Sequence, residues 1–280
     1  MSSRLCNKLT VLIDTSALVE LPGILTKLET KLKNISKRYE HINVDEVIIP
    51  DIVVDEVKHH IQSIIQLLEK VVESIGGDKY KVSKILMDCF MNGNIYALDM
   101  LKCEEFQKSI STIDTSSLKH IDFVVDLVEI IIRYCENKKF KGRICDVLKY
   151  YQSIITNHLN KLTDTKYSIR GSLKFFVDLV RDMRTPLTFI SVNIRNILRD
   201  IIEFYTLQAD INIIKIDKCM GFKHNDMIIY CHALAYSSNN SKHVILITKD
   251  KDFKDNEREW KNIIVNKIHL CSPNTIVIRI

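Results

Sequence analysis

Short runs of β-branched and aliphatic residues recur near both ends of the chain, and most are followed by a stretch whose apolar residues return every three or four positions. Residues 9–13 end at Asp14 and residues 47–49 end at Pro50, while 211–216, 243–248 and 275–278 read as three further strands. Such runs, continuous rather than alternating, suit strands buried on both faces. Helical spacing follows the first run (Leu18, Leu21, Leu25, Leu28) and the second (Ile52, Val53, Val57, Ile61, Ile64, Ile65, Leu68), and a helix is expected over 225–236, between the third and fourth. Parallel neighbours need a crossover, so strands alternating with helices imply an α/β fold, a parallel sheet with helices on both faces.

The middle of the chain has a different character. From residue 79 to about 207 no run reads as a strand, and four or five stretches show helical spacing, most clearly Ile144, Val147, Leu148, Tyr151, Ile154, Ile155 and Leu159. Another is expected to start at Thr185-Pro186, with Thr as N-cap and Pro in the first turn, and to run through Ile190, Ile194, Ile197, Leu198 and Ile201. Gly76-Gly77 is the expected hinge. The predicted organisation is a core of residues 1–75 and 208–280 with an all-helical insertion at 76–207. Seven glycines and four prolines in 280 residues are too few for a loop-rich all-β protein.

Four acids stand at or just beyond the expected strands: Asp14 in VLIDTSAL, Glu56 in IIPDIVVDEV, Asp226 in HNDMIIYCHALA and Asp250 in VILITKDKDF. In a parallel sheet, the loops beyond the carboxyl ends of the strands converge on one crevice, so all four acids are expected to point into it. A cluster of like charges raises the pKa of each member unless cations neutralise it. Oxygen ligands suit Mg²⁺ or Mn²⁺, which can activate water for attack on a phosphodiester. The hydroxyls of Thr15, Ser16 and Thr248 are placed to orient the carboxylates.

Taken in order, these motifs resemble those of the PIN-domain nucleases. VLIDTSAL has the form of the family's strand-one signature, IPDIVVDE that of its second acid, DMIIYCHALA that of its third and TKDKDF that of its fourth. The resemblance covers roughly residues 8–75 and 208–280. It implies a Rossmann-like sheet of order 3-2-1-4-5, metal ligation by Asp14, Glu56, Asp226 and Asp250 with Asp252 as an auxiliary acid, and Mg²⁺- or Mn²⁺-dependent cleavage of single-stranded RNA. The long stretch between Glu56 and Asp226 departs from compact members of the family. It leaves open RNA against DNA as target, dimerisation or partner binding through the insertion, and a toxin role.

Other residues have plainer readings. Asp51 reads as a helix N-terminal cap and Asp55 as a solvated side chain, while Asp217 suits a surface loop better than a fifth ligand. Lys223, His224, Lys249, Lys251 and Lys254 flank the third and fourth acids; they either grip substrate phosphates or form a solvated rim. His59 and His60 read as exposed, and Phe175, Phe176, Tyr150 and Tyr151 as core. A net charge of +5 permits a nucleic-acid partner without requiring one. The eight cysteines are scattered with no CxxC pair, which reads as mostly buried free thiols and a reducing compartment, cytoplasmic or nuclear. No apolar run approaches a membrane span. A catalytically silent RNA- or protein-binding module on the same fold is the remaining alternative.

Overall fold

The structure, a computed structural model, describes residues 8–20, 23, 43–74, 84–85, 88–89, 101–109, 116–137, 142–150, 153, 169–206, 209–271 and 273–279. Five strands, β1 (Lys8–Ile13), β2 (Asn43–Pro50), β3 (Asp210–Ile214), β4 (Val244–Thr248) and β5 (Thr275–Arg279), form one sheet. Their order is β3-β2-β1-β4-β5 and every neighbouring pair is parallel. Helices flank the sheet: α1 (Thr15–Leu18) follows β1, and α2 (Asp51–Ser74) follows β2. Between α2 and β3 come α3 (Glu104–Ser109), α4 (Ile121–Glu136) and α5 (Ile169–Thr206). After β3, α6 (Asn225–Asn240) leads to β4, and α7 (Asp252–Asp255) and α8 (Glu257–Ile268) lead to β5. The architecture is Rossmann-like, as the alternation of strands and helices implies.

Every residue of β4 is buried, as are Val11 and Leu12 of β1 and Ile48 and Ile49 of β2. Each such aliphatic side chain contributes roughly 1.5–3 kcal/mol of transfer free energy, which explains why these strands carry continuous apolar runs. The chain divides into two compact units, Met1–Val57 with Arg195–Ile280, and Lys58–Ile194. The dividing points fall inside α2 and α5, and Gly76-Gly77 lies outside the described residues. Among its described residues the second unit has helices and no strand.

Four expectations need correction. Pro186 does not open a helix: it lies inside α5, whose buried stripe of Val180, Met183, Leu187, Ile190, Ile194, Ile197 and Leu198 continues through it. Burial of that stripe outweighs the one backbone hydrogen bond a proline forfeits. Tyr150 is exposed, not core; Tyr151 and the side chains of Phe175 and Phe176 lie outside the described residues. His60 is half-buried and stacks on His120 at 3.9 Å, with Phe123 edge-on at 5.3 Å. Most striking the cysteine reading, six cysteines pair as Cys89–Cys103, Cys135–Cys145 and Cys219–Cys231, with Cα separations of 5.9, 5.1 and 5.5 Å inside the bridging range. Cys271 is free and exposed, and Cys6 lies outside the described residues. The free-thiol argument for a reducing compartment therefore falls. None of the described helices is long and apolar enough to cross a membrane.

At the amino-terminal side of the sheet, buried Glu46 of β2 accepts hydrogen bonds from Thr10 (3.2 Å), Asn212 (2.7 Å), Tyr236 (2.7 Å) and Lys242 (2.9 Å). A buried carboxylate is tolerated only with such partners, and these tie β1, β2, β3 and α6 together. Burial pushes the Glu46 carboxyl up, but the bonds from Tyr236, Lys242 and Asn212 outweigh it, so its pKa lies below the ordinary 4.5. The stability it contributes is thus present above that value and lost as pH falls through the lower, folded-state value. Glu46→Ala is expected to cost about 2–3 kcal/mol in urea unfolding at pH 7, and less near pH 3, because it strands Lys242, Tyr236 and Asn212.

Candidate metal centre

The chain runs outward from β1 through β2 to β3, then returns to the other side of β1 for β4 and β5. The β1/β4 boundary is the topological switch point, the place in such a sheet where adjoining loops diverge and leave a crevice. Parallel pairing of Ile13 with Ile247 is carried one residue further by the Asp14 N–H, which donates to the Ile247 carbonyl at 3.0 Å. Asp14 and the segment Thr248–Asp250 therefore stand side by side for a backbone reason.

Asp14 is buried, and one carboxylate oxygen receives hydrogen bonds from Ser16 Oγ at 2.5 Å and Thr248 Oγ1 at 2.8 Å. Each hydroxyl is itself oriented from behind. The Lys249 N–H donates to Ser16 Oγ, and the Asp250 N–H to Thr248 Oγ1, both at 2.9 Å. Glu56, in the second turn of α2, accepts from Thr15 Oγ1 on one oxygen and from Asn225 Nδ2 on the other, each at 2.5 Å. Asp226 lies in the first turn of α6, and its ligand oxygen falls within 4.8 Å of oxygens from Asp250 and Asp252. Asp250 Oδ1 accepts the Asp252 N–H at 2.9 Å, which closes the turn into α7.

Electrostatics tie the five acids into one site. Burial, followed by the charges of Asp14, Asp250, Glu56 and Asp252, pushes Asp226 up to about 7. Asp14 is also raised, by burial, against the opposing hydrogen bonds from Ser16 and Thr248. An all-oxygen donor set with this much uncompensated negative charge fits a hard divalent cation such as Mg²⁺ or Mn²⁺. The second group of potential ligands, Cys89, Cys103 and Glu105, has its two sulfurs joined in a disulfide and offers no thiolate.

The structure thus brings Asp226, Asp250 and Asp252 within ligand distance of one another, with Asp14 and Glu56 near enough for their charges to act on Asp226; Thr15 serves Glu56, and Ser16 and Thr248 serve Asp14. Asp217 is exposed, 3.9 Å from Lys215, and does not join them. Asp51 sits in the first turn of α2, paired with Arg195. Lys249 pairs with Glu20 at 3.1 Å, whereas exposed Lys223 and Lys251 form no ion pair among the described residues. Sequence reasoning missed Asn225; the one signal was its place beside Asp226 at the start of a helix. Comparison with known proteins adds no relative: no family model matches the sequence, and no curated protein or solved structure is similar to it.

For the metal-free protein the sign of the Asp226 shift is definite. Folding raises this carboxyl from 3.8 to about 7, so stability is greatest below the unfolded value and declines as pH rises through that interval. Asp226→Asn is expected to stabilise the EDTA-treated protein at pH 8 by about 1–2 kcal/mol, after allowance for solvent screening of a half-buried carboxylate. Thermal unfolding at pH 8 and pH 4 checks this: the gain should vanish at pH 4.

Proposed function

We propose that this protein is a metal-dependent nuclease of the PIN type that cleaves single-stranded RNA. The observation that carries the reading is the convergence of five carboxylates on the switch point of a 3-2-1-4-5 parallel sheet, with Asp226 at their electrostatic centre. An isolated acid after a strand is commonly a cap or turn residue. Three within ligand distance of one another, with two more whose charges reach them, support a site that makes use of the charge.

Asp14, Asp226, Asp250 and Asp252, with Glu56, would hold one or two Mg²⁺ or Mn²⁺ ions. Such ions, when bound, supply Lewis acidity to water and to phosphodiester oxygens and neutralise the charge that develops during cleavage. The chain's own part is placement. Ser16 and Thr248 hold one oxygen of Asp14, Thr15 holds one oxygen of Glu56, and the turn through Asp250 fixes Asp252. Lys223 and Lys251 stand ready to meet substrate phosphates, while Lys249 is partly neutralised by Glu20.

The test is cleavage of labelled single-stranded RNA, and of matched single- and double-stranded DNA, with Mn²⁺, Mg²⁺ or EDTA. Wild type should cut RNA only with metal, and Asp14→Asn and Asp226→Asn should each lower the rate by roughly a hundredfold or more. Preferential cutting of structured DNA would move the assignment to a DNA nuclease on the same scaffold. Absence of both cleavage and metal binding would leave the binding-module reading. In binding assays with RNA, Lys223→Ala and Lys251→Ala should each reduce the slope of log affinity against log salt by about 0.7–1, and Lys249→Ala by less.

A further inference from the structure

Asn225 is the first residue of α6, just after the N-cap His224, and its side chain reaches across to another helix. Here the side-chain amide donates across to Glu56 Oε1 at 2.5 Å, while Thr15 Oγ1 donates to Oε2 at the same distance. Since a carboxylate only accepts, the NH₂ group must face it, which fixes which way the amide points. Asn225 is exposed, so packing gives it little to do.

Glu56 needs such a tether more than the other acids. It reaches the site from α2 on a long side chain, and ordering it costs rotamer entropy of up to about 2 kcal/mol. Thr15 holds one oxygen and Asn225 the other, so the two bonds act together on the plane of the carboxylate. The Asn225 tether is a neutral amide, which orients the carboxylate without itself pairing with its charge as a lysine or arginine would. Because Asn225 adjoins Asp226 in α6, the same bond also sets Glu56 relative to the acid at the centre of the cluster.

We infer that Asn225 is a positioning residue of the metal centre, holding the Glu56 carboxylate against the helix start that carries Asp226. This rests on the cation-site reading above, and the experiment separates the two. Mn²⁺ affinity is measured by titration calorimetry, and metal-free melting temperature alongside it, for wild type, Asn225→Ala, Glu56→Gln and the double variant; Asn225→Ser is carried as a second variant should Asn225→Ala fold poorly. Asn225→Ala is expected to bind Mn²⁺ about tenfold more weakly while its metal-free melting temperature stays close to wild type. In the Glu56→Gln background the same substitution should cost no further affinity, because its effect passes through Glu56. Unchanged affinity in Asn225→Ala, or an equal loss when Glu56 is already Gln, would overturn the inference while leaving the metal centre standing. Failure of wild type to bind Mn²⁺ would overturn the metal centre and the inference together.

Discussion

The pairing of β1 with β4 governs the rest of this molecule. These strands lie far apart in sequence, yet their hydrogen-bonded ladder runs on past the last strand residue to the Asp14 N–H and the Ile247 carbonyl. Once that register is set, the side chain of Asp14 has one place to go, against the hydroxyls of Ser16 and Thr248. Because Thr248 also receives the Asp250 N–H, the turn after β4 is aligned by the group that aligns the end of β1. A slip of one residue in this pair would reverse the faces of one strand relative to the other and part Asp14 from Thr248.

What the register assembles is electrostatically costly. Asp226 is partly desolvated and feels the charges of four other carboxylates, and the two together push it up to about 7. Glu46, at the other side of the sheet, is the contrast within the same fold. It is at least as buried, but four donors surround it and its pKa falls. One carboxylate is supplied with partners and acts as a structural tie; the other is surrounded by its own kind. Burial raises both carboxyls, and it is the donors around Glu46 and the carboxylates around Asp226 that send the two pKa values in opposite directions.

The amino-acid sequence made much of this legible, and its failures have physical causes. β1 and β4 are readable because they are buried on both faces and nearly continuously apolar, and β5, an edge strand only partly buried, is readable from its β-branched run Thr275–Ile278. β2 was read only from residue 47, whereas the strand begins at Asn43. Asp45 and Glu46 break the apolar run, and Glu46 is admitted by Thr10, Asn212, Tyr236 and Lys242, all distant in sequence. Pro186 was misread for a related reason: local preference favours a helix start there, and a long buried stripe overrides it. The disulfides were hidden because spacing alone does not tell which cysteines face each other. Asn225 was invisible because its partner, Glu56, comes from another helix. The five acids were found because each carries a local signature, a strand end or helix start, that survives without tertiary context.

A site built from mutual repulsion also has to be held together. The connector from β3 to α6, which delivers Lys223, Asn225 and Asp226, is fastened at several points before it reaches them. The Ile216 N–H donates to His232 Nε2 at 3.0 Å, and the other ring nitrogen lies 2.8 Å from the Ile228 carbonyl, so the ring is neutral with its proton on Nδ1. Burial holds its pKa down and so preserves that acceptor. Cys219 is bonded to Cys231 of α6, and Lys267 donates to the Gly221 carbonyl at 2.8 Å while lying over the Phe222 ring at 4.3 Å. Like charges on a loose loop would move apart and the site would dissolve. On a connector pinned by a disulfide, a buried histidine and a lysine clamp, the acids are kept from moving apart, and Asp226, raised first by burial, is raised further by the neighbouring charges.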